Sequence, residues 1–191
     1  MRVFTITGHL VQDSLLIPTN LPENGFVWMA CSRSFFQTEQ NQVQHALFQL
    51  NGHRLLDLHV SDLLNKQLPS RFDLTSYCDI LVFRRLATAE RDAEHTELSG
   101  RKKTKSKLSG PPALRRVDTS PIGFAIFDNV LLTVHPDDCA ICDAYADRLI
   151  SASQALLQKD ALNNASGSEL EAADSRSAGA RGIPVSPADM M

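Results

Sequence analysis

Two cysteines separated by two residues, Cys139-Ala-Ile-Cys142, follow closely behind His135, Asp137 and Asp138. Thiols and an imidazole at such short range are the ingredients of a zinc centre or of a dithiol redox pair. A structural zinc of four protein ligands would want a second pair at matching spacing, and Cys31 and Cys78 do not form one. A thioredoxin-type pair sits at a helix start after a strand, which the local pattern loosely fits, but the usual intervening residues are absent. The spacing therefore reads first as cysteines packed on a helix, with redox or binding use of Cys139 and Cys142 as the alternative.

Other candidate chemistry is thinner. His9, His45, His53, His59, His95 and His135 are dispersed, with no H-x-x-x-H pair on one helix face. Gly52, Gly100 and Gly110 form no phosphate loop, there is no G-x-S-x-G, and no nucleophile–base pair can be placed. No enzymatic activity is expected. Asp57, Asp62 and Asp73 surround a short apolar-periodic segment and read as a solvated acidic face. The run Arg101–Lys107 holds five basic residues in seven, without interleaved aromatics, and reads as a solvated tract rather than a nucleic-acid surface.

The bulk properties agree. The 191-residue chain is 43% hydrophobic and 21% charged, which excludes fibrous and wholly disordered classes. Aromatics at 6% and a net charge of −3 argue against a polyanion-binding or base-stacking protein, so no nucleic-acid partner is expected. No apolar run approaches the roughly 18 residues a membrane span needs. Four cysteines do not make a disulfide scaffold, and the first residues lack an apolar signal core, so a reducing cytoplasmic setting is predicted.

Two stretches lack the apolar residues needed to offset ordering entropy and are predicted to be mobile. One is the insert 88–120, with eight Lys/Arg against five Asp/Glu. The other, from Ala161 to Gly182, has 13 Ala, Ser or Gly among its 22 residues and suggests a flexible linker over 161–185. A single domain over 1–160 remains. Within it, Arg2–Thr7, Phe26–Cys31 and Tyr77–Phe83 read as strands, the second apolar on both faces. Ile122–Phe127 and Val130–His135 read as an antiparallel hairpin about Asp128-Asn129. Val43, Ala46, Leu47 and Leu50 recur at helical spacing up to Asn51-Gly52, and Leu55, Leu58, Leu63 and Leu64 suggest a shorter helix. A long helix should open at Pro136-Asp137-Asp138 with Ile141, Tyr145, Leu149, Ala152 and Leu156 as its stripe. Ser186-Pro187-Ala188-Asp189 is a helix-start pattern, so 186–191 is predicted to begin a helix whose body would lie beyond Met191. Helices before and after such a sheet predict a mixed α/β domain.

The segment Thr119-Ser-Pro-Ile-Gly-Phe-Ala-Ile-Phe-Asp-Asn-Val-Leu-Leu-Thr-Val-His-Pro136 resembles the cytoplasmic N-terminal domain of the CorA family of magnesium transporters. There, a hairpin with an Asn-x-Leu-Leu-Thr-Val-His pattern leads into a long helix, matched here by Asn129–His135. Trp28 in an early strand, Asp62-Leu-Leu-Asn65 after a helix, and Ser186-Pro-Ala-Asp-Met190 are further similarities in the expected order. The resemblance implies an α/β/α sandwich with a mixed sheet containing an antiparallel hairpin. It implies a cation-sensing regulatory domain of a divalent metal ion (Mg²⁺/Co²⁺) transporter, pentameric in its full-length form, at the cytoplasmic face of a bacterial inner membrane. Asp62 then stands where the family has an acid and would supply half of a regulatory Mg²⁺ site, the second acid coming from a stalk beyond Met191. No tightly bound cofactor is expected, with Mg²⁺ or another divalent cation as the ligand.

Overall fold

The computed structural model describes residues 1–86, 119–137, 139–165 and 183–190, with side chains as far as Lys159 in its longest helix. The chain begins with two antiparallel strands, β1 (Arg2–Thr7) and β2 (Leu10–Ser14), followed by β3 (Gly25–Ser32). Three helices follow: α1 (Arg33–Thr38), α2 (Gln40–Asn51) and α3 (Asp57–Leu64). Strands β4 (Arg71–Leu74), β5 (Asp79–Leu86), β6 (Thr119–Ile126) and β7 (Val130–His135) precede α4 (Ala140–Ala165) and a 3₁₀ turn at Pro187–Met190.

All seven strands form one sheet in the order β2-β1-β3-β7-β6-β5-β4. Its pairs are antiparallel except β3–β7, which run parallel with Trp28 opposite Leu131 and Ala30 opposite Thr133. This central pair is buried on both faces, as its continuous apolar runs require. Side chains alternate between two cores. Val27, Met29, Cys31, Val130, Leu132 and Val134 pack under α1–α3 with Phe36, Leu47 and Leu63. Phe4, Phe26, Trp28 and Leu131 pack under α4 with Ala146 and Leu149. The architecture is the expected α/β/α sandwich with a mixed sheet.

Local chemistry accounts for the element ends. Gly52 closes α2 at φ 77°, a left-handed cap that a Cβ would strain. Phe127 N–H donates to the Val130 carbonyl across the two-residue Asp128-Asn129 turn. At Gly123, an added Cβ would lie 2.4 Å from Leu63 Cδ2, so the missing side chain is what lets α3 settle on β6.

Several sequence expectations are corrected. The stripe of α3 is rotated: Leu58 is exposed, while His59, Val60, Asp62 and Leu63 are buried, so Asp62 is not part of a solvated acidic face. Helix α4 starts at Ala140, four residues later than predicted, because Asp137 accepts a hydrogen bond from the Ser34 hydroxyl instead of serving the helix start. Ile141 is exposed and Ala146 and Ser153 take its place on the buried face; the Ser153 hydroxyl accepts from Val11 N–H at 3.0 Å. Parts of the stretches predicted mobile belong to regular elements. Thr119 and Ser120 belong to β6, and 161–165 belong to α4. Ile183 and Pro184 are buried, Ile183 in the α4-side core, so the expected linker is anchored there. The rest of both stretches lies outside the described residues, including the run Arg101–Lys107. Pro187–Met190 forms a 3₁₀ turn, with the Ser186 N–H and hydroxyl and the Val185 N–H all donating to Asp189 Oδ2.

Candidate functional site

The parallel pair β3 and β7 ends on one edge of the sandwich at Ser32 and His135. Each strand is followed there by a helix, α1 and α4, so two chain reversals place polar groups side by side. Ser32 caps α1, its hydroxyl accepting from Phe35 N–H at 3.3 Å. Ser34 donates to Asp137, and this bond is the main reason the Asp137 carboxyl lies below its usual range. Arg33 is buried and donates to the Pro121 carbonyl at 2.6 Å; burial lowers its affinity for the proton.

His135, Cys139 and Cys142 meet at this edge. One ring nitrogen of His135 and the two sulfurs lie within 4.8 Å of one another. The sulfurs themselves are 3.0 Å apart. His135 Nδ1 donates to the Pro136 carbonyl at 2.9 Å. Cys139 stands directly before α4, and its carbonyl accepts from the N–H groups of Cys142 (3.0 Å) and Asp143 (3.4 Å). The Cys142 thiol favours the Cys139 thiolate by donating to it, with Arg85 adding positive charge, and Cys139 is lowered to about 6 against burial. Cys142 is raised, first because it is the donor of that bond and then by burial. Cys139 is fully enclosed, whereas Cys142 is half-buried and lines a 180 Å³ cleft with Arg2, Trp28, His135 and Asp137. The sequence shows the cysteine pair and the nearby histidine. What it does not show is that the chain turns between Pro136 and Cys139 so that all three donors converge.

Asp62, the acid expected to bind a cation, lies elsewhere, on α3 over the β5–β6 half of the sheet. Its Oδ2 is 3.3 Å from Arg71 Nη1, and the same guanidinium reaches Asp73 Oδ2 at 3.0 Å. Asp62 Oδ2 is buried and takes no hydrogen bond beyond that ion pair, as is His59 Nδ1 one turn earlier on the same helix. Asp57 lies in the first turn of the helix and is exposed. Of the other two cysteines, Cys31 is buried and pushed up to about 12 by desolvation, and Cys78 is raised for the same reason.

No family model matches the chain, and no curated protein matches it. The solved structures to which it is similar include the following. The ZntB cytoplasmic domain from Vibrio parahaemolyticus gives a TM-score of 0.49 at 10% identity, over 79% of this chain and 49% of that one. The full-length CmaX protein gives 0.49 at 10% identity, over 86% and 46%. The CorA magnesium transporter from Methanocaldococcus jannaschii gives 0.40 at 12% identity, over 86% and 37%. This chain therefore spans less than half the length of each. No helix among the described residues is long and apolar enough to cross a membrane.

Proposed function

We propose that this chain is the cytoplasmic N-terminal domain of a CorA-like divalent metal ion transporter, with a regulatory role. The observation that supports the reading is the place of Asn129–His135. The segment that resembles the family motif forms the turn and β7, the strand at the centre of the sheet, and runs through a four-residue link into the longest helix. Trp28, the second point of resemblance, sits on the adjacent strand β3. In this reading no substrate is turned over. The full-length protein is a pentamer at the cytoplasmic face of a bacterial inner membrane and conducts Mg²⁺ or Co²⁺ under the control of divalent cations bound to its cytoplasmic domains.

Asp62 is the acid proposed to face the regulatory cation. The charge now beside it is Arg71, which a cation would displace. Mg²⁺ keeps most of its waters and takes one or two carboxylates, of which this chain supplies Asp62 and the stalk of the full-length protein would supply the other. Displacing a guanidinium for one buried carboxylate leaves little net attraction, so binding to this chain should be millimolar or weaker, about 4 kcal/mol at most. Calorimetry with Mg²⁺ tests it: Asp62→Ala should abolish the weak heat and Arg71→Ala should strengthen it. Micromolar binding, or binding that Asp62→Ala leaves untouched, removes Asp62 from the role. The reading as a whole is tested by the encoding frame, which should continue into a long helix, two apolar spans and Gly-Met-Asn; a stop codon after Met191 would overturn it.

A further inference from the structure

We infer that His135, Cys139 and Cys142 form a binding site for a single thiophilic divalent ion of the zinc class, with one coordination position open to the cleft beside Arg2 and Trp28. The inference is independent of the transporter reading and concerns a different edge of the molecule from Asp62. Three observations carry it.

The first is the donor set and its spacing. Zinc takes thiolate sulfur at about 2.3 Å and imidazole nitrogen at about 2.0 Å in a tetrahedron, which sets neighbouring ligand atoms roughly 3.3–3.8 Å apart. The sulfurs stand at 3.0 Å and all three donor atoms fall within 4.8 Å of one another, so the ion needs shifts of no more than about an ångström. The three residues lie within one eight-residue segment between a central strand and a long helix, so closing the site costs little chain entropy.

The second is the state of the histidine. A ligating imidazole commonly donates its other ring N–H to a carbonyl, which fixes the tautomer and the ring. His135 Nδ1 makes that bond to the Pro136 carbonyl at 2.9 Å, so Nε2 is the nitrogen that would ligate. A dithiol that served only to form a disulfide would need two sulfurs and no such ring. The histidine therefore favours a metal over a redox pair.

The third is access. Cys139 is enclosed, but Cys142 and His135 line the 180 Å³ cleft, so an ion can enter and a water or a fourth donor can complete the tetrahedron. Two soft sulfurs and an imidazole discriminate against Mg²⁺, which prefers oxygen and an octahedron. This site and the proposed Mg²⁺ position thus answer to different ions.

The test is cobalt as a spectroscopic probe, titrated into the full 191-residue chain held reduced by a phosphine and free of chelator. One Co²⁺ per chain should give tetrahedral ligand-field bands with a thiolate-to-cobalt charge-transfer band; one equivalent of Zn²⁺ should abolish both and excess Mg²⁺ should not. Cys142→Ser and Cys139→Ser should each weaken zinc binding on the order of a hundredfold or more, and His135→Gln by about ten- to a hundredfold. Cys142 is half-buried, so Cys142→Ser and His135→Gln keep the question answerable if Cys139→Ser does not fold. Asp62→Ala should leave the spectrum unchanged, which separates this outcome from that of the Mg²⁺ experiment. The site is overturned by an octahedral spectrum, by no binding to the reduced chain, or by binding that survives Cys139→Ser with Cys142→Ser. Thiols that oxidise to a Cys139–Cys142 disulfide without binding metal when reduced would assign the pair to redox chemistry instead.

Discussion

The indole Nε1 of Trp28 donates to the hydroxyl of Thr133 at 3.0 Å, joining the parallel strands β3 and β7 through side chains as well as backbone. Both residues are buried, and the indole is also stacked on Phe4 at 4.6 Å and edge-on to Tyr145 at 6.0 Å. The bond is therefore a polar pin within the largely apolar layer under α4. Thr133→Val keeps the shape and leaves the indole N–H without a partner, which costs about 1–3 kcal/mol. Urea unfolding followed by Trp28 fluorescence should show that loss at an unchanged m-value. A neutral result would mean the pin contributes nothing net.

How much of this was legible in the sequence depends on whether a residue's type betrays its surroundings. The unbroken apolar run Phe26–Cys31 announces a strand buried on both faces, and the Asp128-Asn129 turn between two β-branched runs announces a hairpin. Strand β4 was missed because Arg71, Phe72, Asp73 and Leu74 lie at an edge, largely exposed, where no alternation is imposed. Asp62 and His59 look like surface residues by type, and only the Arg71 ion pair, contributed by a later strand, makes burial of the acid tolerable. The metal-competent cluster was half legible. Cys139 and Cys142 stand out as a motif, but the approach of His135 depends on a helix that starts late, which follows from the Ser34–Asp137 bond across the sheet edge.

The Asp62–Arg71 pair is asymmetric, with the acid's side chain 10% exposed and the arginine's 38%. Arg71→Ala removes the countercharge and leaves a buried carboxylate, which should cost more than an ordinary surface pair. After discounting for the solvent that reaches Arg71, about 1–2 kcal/mol is expected. Asp62→Asn should recover part of that loss in the double variant, read by a double-mutant cycle in thermal melts. Additive effects would show that the two side chains are not coupled.

Alkaline pH should weaken the fold through Cys31. Its thiol is pushed up to about 12 by burial from an ordinary value of 9.0, so the unfolded chain loses the proton first. Stability from this group is complete below pH 9 and falls as the pH rises toward 12, by about 4 kcal/mol at full extent. Urea melts at pH 8 and pH 10.5 should differ in midpoint, and Cys31→Ala should reduce the difference, the remainder coming from Cys78 and Cys142, while costing stability at both. In the same experiment Cys31 should resist alkylation until the chain unfolds.

Loss of the Asp189 bonds should be seen at the opposite end of the scale. The Ser186 hydroxyl and N–H, and the Val185 N–H, hold this carboxyl below its usual range. Its contribution is present above about pH 4 and disappears as the pH falls through the depressed value. Because the group is exposed, the effect is local: amide exchange at Val185 and Ser186 should quicken on acidification, and Asp189→Asn should abolish that pH dependence. Unchanged exchange would mean the turn is held by the burial of Ile183 and Pro187 alone.

The register of β5 and β6 makes a prediction about the sequence between them. Leu86 pairs directly with Thr119, so the intervening chain leaves and re-enters the sheet at neighbouring positions. A loop whose ends already meet can be shortened without moving either strand, and closure entropy depends only on the logarithm of its length. Deleting Glu90–Gly110 leaves 11 residues between the two strands and should stabilise the fold by roughly 1 kcal/mol or leave it unchanged. By the same reasoning trypsin should cut within Arg101–Lys107 before any site in the sheet, since that run is rich in cleavable residues and poor in apolar ones. A marked fall in melting temperature on deletion would show that the insert packs on the sandwich, and the sequence reading of it would then be wrong.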